Sequence, residues 1–466
     1  MTQNKARTLG ELRTSGYQSR SVKEEMRQNL INKLRKGEDI FPGIVGYEET
    51  VIPQIENAIL SGQDIVFLGE RGQAKTRIAR SLINLLDEEM PAIKGADLND
   101  DPLNPISAVG KSLVAELRDS APIEWIPRNR RYGEKLATPD ITISDLIGEV
   151  DPIKVAEGRY LSDEMTIHYG LIPRTNRGIF AINELPDLAE RIQVGLLNIM
   201  EERDVQIRGY KIRLDLDLFV VASANPEDYT NRGRIVTPLK DRFGSEIRTH
   251  YPRTIDHEIN IIEQEAAKFK TENVEVIVPR FMKEIVAEVT HLARRSPDIS
   301  QRSGVSVRVS VSNYENLVSN ALRRAIVLGE KAAAPRISDL HALISSTAGK
   351  VELETMGDNK EERVIEKLVQ GAILNTFNRN FGVSDFEQII RGFDSGLNME
   401  ISELMPSMEY VHQAAESPEL KRAVAKLQAQ GSPVTVATAV EFVLEGLHLN
   451  RKLNKDRNEG KLRYRR

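Results

Sequence analysis

The chain has 466 residues, of which 40% are hydrophobic and 29% charged, and a formal net charge of −5. That length fits about two to four domains, and the near-balanced charge gives no argument for nucleic acid or an acidic membrane surface as a partner. The absence of cysteine excludes disulfides, thiolate zinc sites and cysteine nucleophiles.

Residues 1–40 read as a polar helical segment with a narrow apolar stripe at Leu30, Ile31 and Leu34. The start, Met1 to Gly16, lacks the apolar core of about 7–15 residues that marks a signal peptide. No run anywhere approaches the ~18 apolar residues needed to cross a bilayer. A cytoplasmic location without membrane insertion is therefore expected. Phe41-Pro42-Gly43 marks a boundary. From Ile44 onward short apolar runs alternate with helical stretches, the pattern of α/β layering. Ile65–Leu68, Ile179–Ile182 and Leu218–Ala222 are continuous apolar runs, as expected of strands buried on both faces of a parallel sheet. Residues 91–170, between the first two, are rich in turn residues and long for a plain connection. Insertions with secondary structure of their own are expected there. Val205, Ile207, Ile212 and Leu214 alternate around Arg208-Gly209-Tyr210-Lys211, which predicts a β-hairpin.

After Tyr251 the strand signal fades. Residues 255–348 read as helices, most clearly where Tyr314, Leu317, Val318, Ala321, Leu322, Ala325 and Ile326 recur at helical spacing. Residues 352–466 also read as helical, with breaks at Gly382, Ser384, Pro406 and Ser432-Pro433. The tail from Asn450 to Arg466 is strongly basic, and such a tail is ordinarily solvated.

Five short stretches carry chemistry. Gly69-Glu-Arg-Gly72-Gln-Ala74-Lys75-Thr76 follows a strand and precedes a helix-like run. Such a loop aims backbone N–H groups at one point, and the helix dipole favours an anion there. Gly69, Gly72 and Ala74 let the backbone wrap a phosphate; Lys75 would reach its oxygens and Thr76 would hold Mg²⁺. The strict pattern has Gly where this chain has Ala74. Ile179–Asn183-Glu184 is an apolar strand ending in two polar groups. The usual pair there is Asp-Glu, in which Asp steadies the metal and Glu polarises the attacking water. Asn183 can still accept a hydrogen bond from metal-bound water but brings no charge. Asn225 ends the third strand and could sit beside a γ-phosphate. Arg242, in Leu239-Lys-Asp241-Arg242-Phe243-Gly244, could reach a neighbouring subunit's nucleotide as an arginine finger. Arg308 opens the helix containing Tyr314 and could close a helical lid onto the nucleotide. Each has a plain alternative: a Gly-rich turn, a helix cap, an Asn-Pro turn, a surface Arg paired with Asp241, a solvated Arg. Their joint order along one chain is what favours the chemical reading.

This order resembles the AAA+ ATPases, and within them the clade of MoxR-type ATPases and the magnesium-chelatase I subunit, over residues 40–345. The Gly69–Thr76 loop has the GxxGxAKT form of MoxR proteins, and residues 196–207 look like the MoxR segment after the second strand. Ile44-Val-Gly46, residues 145–154, Asn225-Pro-Glu and Asp241-Arg-Phe-Gly244 are similar to the chelatase I subunit, as is the stretch 91–105. The resemblance implies an α/β fold: a P-loop αβα sandwich with a parallel central sheet over 41–254, a helical lid over 255–350 and a helical extension over 351–466. It also implies an insert at 145–172 and a hairpin before the third strand. Its further implications are ATP and Mg²⁺ as cofactors, and Lys75, Thr76, Glu184, Asn225, Arg242 and Arg308 as P-loop lysine, metal ligand, base, sensor, finger and lid sensor. A homo-oligomeric ring, hexameric in such proteins, is implied too, with a partner carrying a von Willebrand factor A domain; nucleic acid is not expected. Two other readings stand beside it. A sigma-54-type transcription activator would carry a GAFTGA-like loop between the first two motifs, and none is found. A nucleotide-gated scaffold with little hydrolysis rests on Asn183 alone.

Overall fold

The protein is described here as a computed structural model covering residues 5–151, 166–201, 204–207, 210–226, 234–268, 274–301, 303–354, 360–395, 399–458 and 461–465. Its packing divides into two units, Met1–His250 and Tyr251–Arg466.

The first unit is built on a five-stranded parallel sheet. Its strands in chain order are β1 (Ile65–Leu68), β2 (Tyr132–Leu136), β3 (Gly178–Asn183), β4 (Leu218–Ala224) and β5 (Ser245–Arg248). Across the sheet they lie in the order β5-β1-β4-β3-β2. Side chains along a strand alternate between the two faces, and here each face has its own core. Val66, Phe180, Ile182, Val220 and Ala222 join one, covered by Leu196 and Ile199 of the helix Glu190–Glu201 and by Leu239. Ile65, Phe67, Ile179, Phe219, Val221 and Ile247 join the other. That second face is covered by the helices Val22–Lys36, Val51–Leu60 and Lys75–Ser81.

The helix Val22–Lys36 thus belongs to the sheet rather than to a separate leading segment. Ser21 caps its start by accepting from the Glu24 N–H, and Gly37 ends it in the left-handed region. Its buried stripe is Val22, Met26 and Leu30; Leu34, expected in the stripe, is exposed. Glu25, also on the inner face, receives both Arg131 Nη atoms at 2.7 and 2.6 Å. Arg131 donates further to the Arg177 carbonyl, so the buried charges are paired and hydrogen-bonded.

The stretch 91–170 carries structure of its own. Glu89–Ile93 and Ile123–Pro127 pair antiparallel, as do Gly148–Val150 and Ile167–Tyr169. The expected insert at 145–172 overlaps the second pair; its residues 152–165 lie outside the described residues. Asp204–Ile207 and Tyr210–Arg213 pair antiparallel as the predicted hairpin, whose turn residues 208 and 209 lie outside them too.

The second unit packs the helices Ile255–Glu265, Arg280–Ala293, Val307–Leu328, Lys360–Asn380, Ser407–Glu416, Pro418–Lys426 and Pro433–Leu449 around one core. Phe281, Phe377, Phe386 and Phe442 stack at its centre with ring centroids 4.8–5.8 Å apart. Ile285 and Val289 share that core with Phe377 and Phe442, so packing runs continuously across residue 350. Gly446 permits the closest approach: a Cβ there would lie 2.0 Å from the Phe377 ring.

Residues 352–466 are mostly helical, as expected, with one addition that the helical reading omits. Met399–Ser402, Asn454–Asn458 and Lys461–Arg465 form an antiparallel sheet, β6, β7 and β8 in that order, with β8 in the middle. The basic tail is therefore structural. Its charges alternate with Leu462 and Tyr464, and Tyr464 is fully buried, its hydroxyl donating to Glu445. Lys455 pairs with the same carboxylate at 2.7 Å. Tyr464→Ala should lower the stability of the second unit by roughly 3–5 kcal/mol, the range for a buried aromatic. Urea unfolding of the full chain measures it, and an unchanged midpoint would return the tail to solvent.

Candidate functional site

β1, β3 and β4 are buried on both faces along their length, so polar side chains emerge only at their C-terminal ends. The loop after β1 is shaped by close contacts. A Cβ on Gly69 would lie 1.8 Å from Thr249 Oγ1 and 2.3 Å from Gln73 Oε1, so any side chain there would force Thr249 and Gln73 to move. Gly72 and Ala74 both take the left-handed conformation, with φ of 76° and 58°. For an alanine that costs about 1–2 kcal/mol. Gln73 fastens the loop from within: its Oε1 accepts from the Glu70 N–H at 3.1 Å and from Thr249 Oγ1 at 2.7 Å. The Tyr47 hydroxyl lies 3.0 Å from the Gln73 carbonyl and 2.7 Å from the His250 carbonyl. Burial pushes that phenol up to about 12. Beside the loop lies a cleft of 390 Å³ lined by Leu68, Gly69, Glu70, Gln73, Lys240 and Thr249.

Lys75 begins the helix Lys75–Ser81 and is itself buried. Its ammonium donates to the Glu70 carbonyl at 3.0 Å, to the Gly69 carbonyl, and to Asn225 Oδ1 at 2.7 Å. Asn225, just past β4, passes the link on: its Nδ2 donates to Glu184 Oε2 at 2.8 Å. A cation against Oδ1 and a carboxylate against Nδ2 fix which way the amide points. Glu184 follows β3 in the left-handed region, φ 56°, and its N–H donates to Ser223 Oγ. Such backbone strain clusters at functional sites.

Next to this chain lies a second one. Asn183 Oδ1 accepts from Thr76 Oγ1 and from Ser223 Oγ, both at 3.3 Å. Asn183 Nδ2 donates to Glu134 Oε1 at 2.8 Å, and Glu134 is clasped by Arg80 at 2.7 and 2.9 Å. Burial, then the Glu134 charge, pushes the Tyr132 phenol well above its ordinary value. The oxygens of Thr76, Asn183, Ser223 and Glu134 are hard donors, the set that suits Mg²⁺.

The structure thus gathers Lys75, Thr76, Asn183, Glu184 and Asn225. It does not bring Arg242 to them. Arg242 is the last residue of the helix Thr237–Arg242 rather than part of a loop, and it pairs with Glu201 and, at 3.6 Å, with Asp241. Arg308 is exposed in the first turn of Val307–Leu328, in the other unit. Tyr47, Gln73, Ser223, Thr249 and Glu134 complete the geometry and were not singled out from sequence.

No family model matches the chain. It is similar to the magnesium-chelatase subunit ChlI of Nicotiana tabacum, a chloroplastic protein, at 26% identity over 247 residues, 51% of this chain and 54% of that one. With the ChlI subunit of Nephroselmis olivacea the identity is 23% over 329 residues, 66% of this chain and 86% of the relative. The chain spans about half the length of the first of these relatives. Among solved structures, the BchI–BchD complex of magnesium chelatase is 19% identical, over 71% of this chain and 98% of that one, with a TM-score of 0.37, too loose an overlap to add to the assignment. The parallel α/β sheet with its polar strand ends is of the AAA+ class. Within it, the chain is similar to the magnesium-chelatase I subunits.

Gly69→Ala should destabilise the first unit by about 1–3 kcal/mol, the cost of overpacking a close contact. Thermal melting followed by near-UV circular dichroism checks it; an unshifted transition would mean the loop has room that its contacts deny.

Proposed function

We propose that the chain is an ATP-hydrolysing AAA+ motor that works as a ring, hexameric by resemblance, and spends ATP on remodelling or activating a partner protein. The observation that carries the reading is the single amide of Asn225, which holds Lys75 by one atom and Glu184 by the other. A phosphate-binding lysine and a candidate base are thereby registered against each other, which is what positioning catalysis requires.

In this reading the Gly69–Thr76 loop binds the nucleotide phosphates, with Lys75 on their oxygens. Thr76 and Asn183 hold Mg²⁺, which when bound with the nucleotide neutralises charge on the phosphoryl group. Glu184 orients and deprotonates the attacking water. Asn225 senses the terminal phosphate and keeps Glu184 in place. Arg242, paired at the surface with Glu201, serves the nucleotide of a neighbouring subunit, and Arg308 serves the lid. The matched relatives are subunits of a larger enzyme, which supports action within an assembly; a partner with a von Willebrand factor A domain fits the resemblance. Among the described residues no helix is long and apolar enough to cross a membrane.

ATP turnover against protein concentration tests this. Turnover per subunit should rise with concentration, because sites are shared. Arg242→Ala should lower it by about 10³-fold or more, and Glu184→Gln by about 10²–10⁴-fold. ATP binding with equally inert wild type and variants would leave a nucleotide-gated scaffold instead.

A further inference from the structure

We infer that Glu134 supplies, through Asn183, the negative charge that β3 itself lacks at the metal position, so that Glu134 is a positioning residue for the metal of a bound nucleotide. The inference rests on the nucleotide-binding reading above and goes beyond it by naming where the missing charge resides.

Asn183 ends β3, the strand whose last residue would ordinarily be an aspartate. Its amide has one workable orientation. Oδ1 faces two hydroxyl donors, Thr76 and Ser223, while Nδ2 faces the Glu134 carboxylate at 2.8 Å. Turned over, the amide would press its oxygen against a carboxylate oxygen and its NH₂ against the hydroxyls. Glu134 lies on β2, the parallel neighbour of β3, in register with Ala181 and so diagonal to Asn183.

A hydrogen bond to an ionised acceptor is shorter and stronger than a neutral one. Bonds in series polarise one another, so the donation to Glu134 deepens the partial negative charge on Asn183 Oδ1, which faces Thr76. Arg80 holds Glu134 in place from the helix that also carries Lys75 and Thr76, so the carboxylate is tied to the phosphate loop. The chain is internally consistent in a further way. An aspartate at 183 would set two carboxylates at 2.8 Å, and like charges at that distance do not both ionise. Asn183 and Glu134 together bring one carboxylate, as a lone aspartate would, and here the Arg80 guanidinium holds it.

The test uses the full-length protein, Mn²⁺ as a paramagnetic stand-in for Mg²⁺, and a fluorescent ATP analogue. Mn²⁺ affinity in the presence of ATP is read by electron paramagnetic resonance, and analogue affinity is read separately without metal. Glu134→Gln should weaken Mn²⁺ binding by about tenfold or more, the scale of losing an outer-shell partner. Its metal-free analogue affinity should stay at the wild-type value, which a collapse of the phosphate loop would not allow. Asn183→Asp alone should give no tightening, and Glu134→Gln combined with Asn183→Asp should return Mn²⁺ affinity toward wild type. The inference is overturned if Glu134→Gln leaves Mn²⁺ affinity unchanged. It is equally overturned if Asn183→Asp tightens Mn²⁺ binding with Glu134 present, a result that stands even if Glu134→Gln fails to fold. A wild-type protein that binds no analogue, with or without metal, removes the nucleotide reading and this inference with it.

Discussion

A parallel strand covered on both faces can show a polar side chain only where it ends. In the first unit that constraint organises everything else. Phe67, Phe180, Phe219 and their neighbours fill two cores, one on each side of the sheet. The loop after β1, Asn183-Glu184 after β3 and Asn225 after β4 are then forced onto one edge. Because β1, β4 and β3 are adjacent across the sheet, three segments far apart in sequence emerge side by side, and their hydrogen bonds follow with little further adjustment.

The same constraint explains how much could be read from sequence. Uninterrupted apolar runs gave the three central strands within two residues, and motif spacing located Lys75, Thr76, Asn183, Glu184 and Asn225. Glu134 carried no such signal. It sits on β2, the edge strand, whose sequence Tyr-Gly-Glu-Lys-Leu has neither an apolar run nor clean alternation. Gln73 lay inside the loop motif at a position the pattern leaves open, and only the contact with Thr249 reveals its task. The N-terminal helix buries Val22, Met26 and Leu30 rather than Leu34, and its inner face also carries Glu25, paired with Arg131. Charge counting treats Glu25 as outward; only its partner some hundred residues away, at Arg131, makes burial tolerable.

The tail failed differently. Lys461-Leu-Arg-Tyr-Arg465 has the period of two that defines a half-buried strand, but its charge density drew the reading toward solvent. The inward positions decide: Leu462 packs against the core and Tyr464 enters it. Arginine and lysine on the outer face of such a sheet keep it soluble and say nothing of the inner one.

The contact between Gly446 and Phe377 has an evolutionary reach. The helix Pro433–Leu449 meets the Phe377 ring through bare backbone, so neither position can drift alone. Any larger residue at 446 demands a smaller ring partner at 377, and the replacement must refill the space among Phe281, Phe386 and Phe442. Among descendants of this sequence the two sites should covary, marking the centre of the second unit in an alignment as clearly as invariance would.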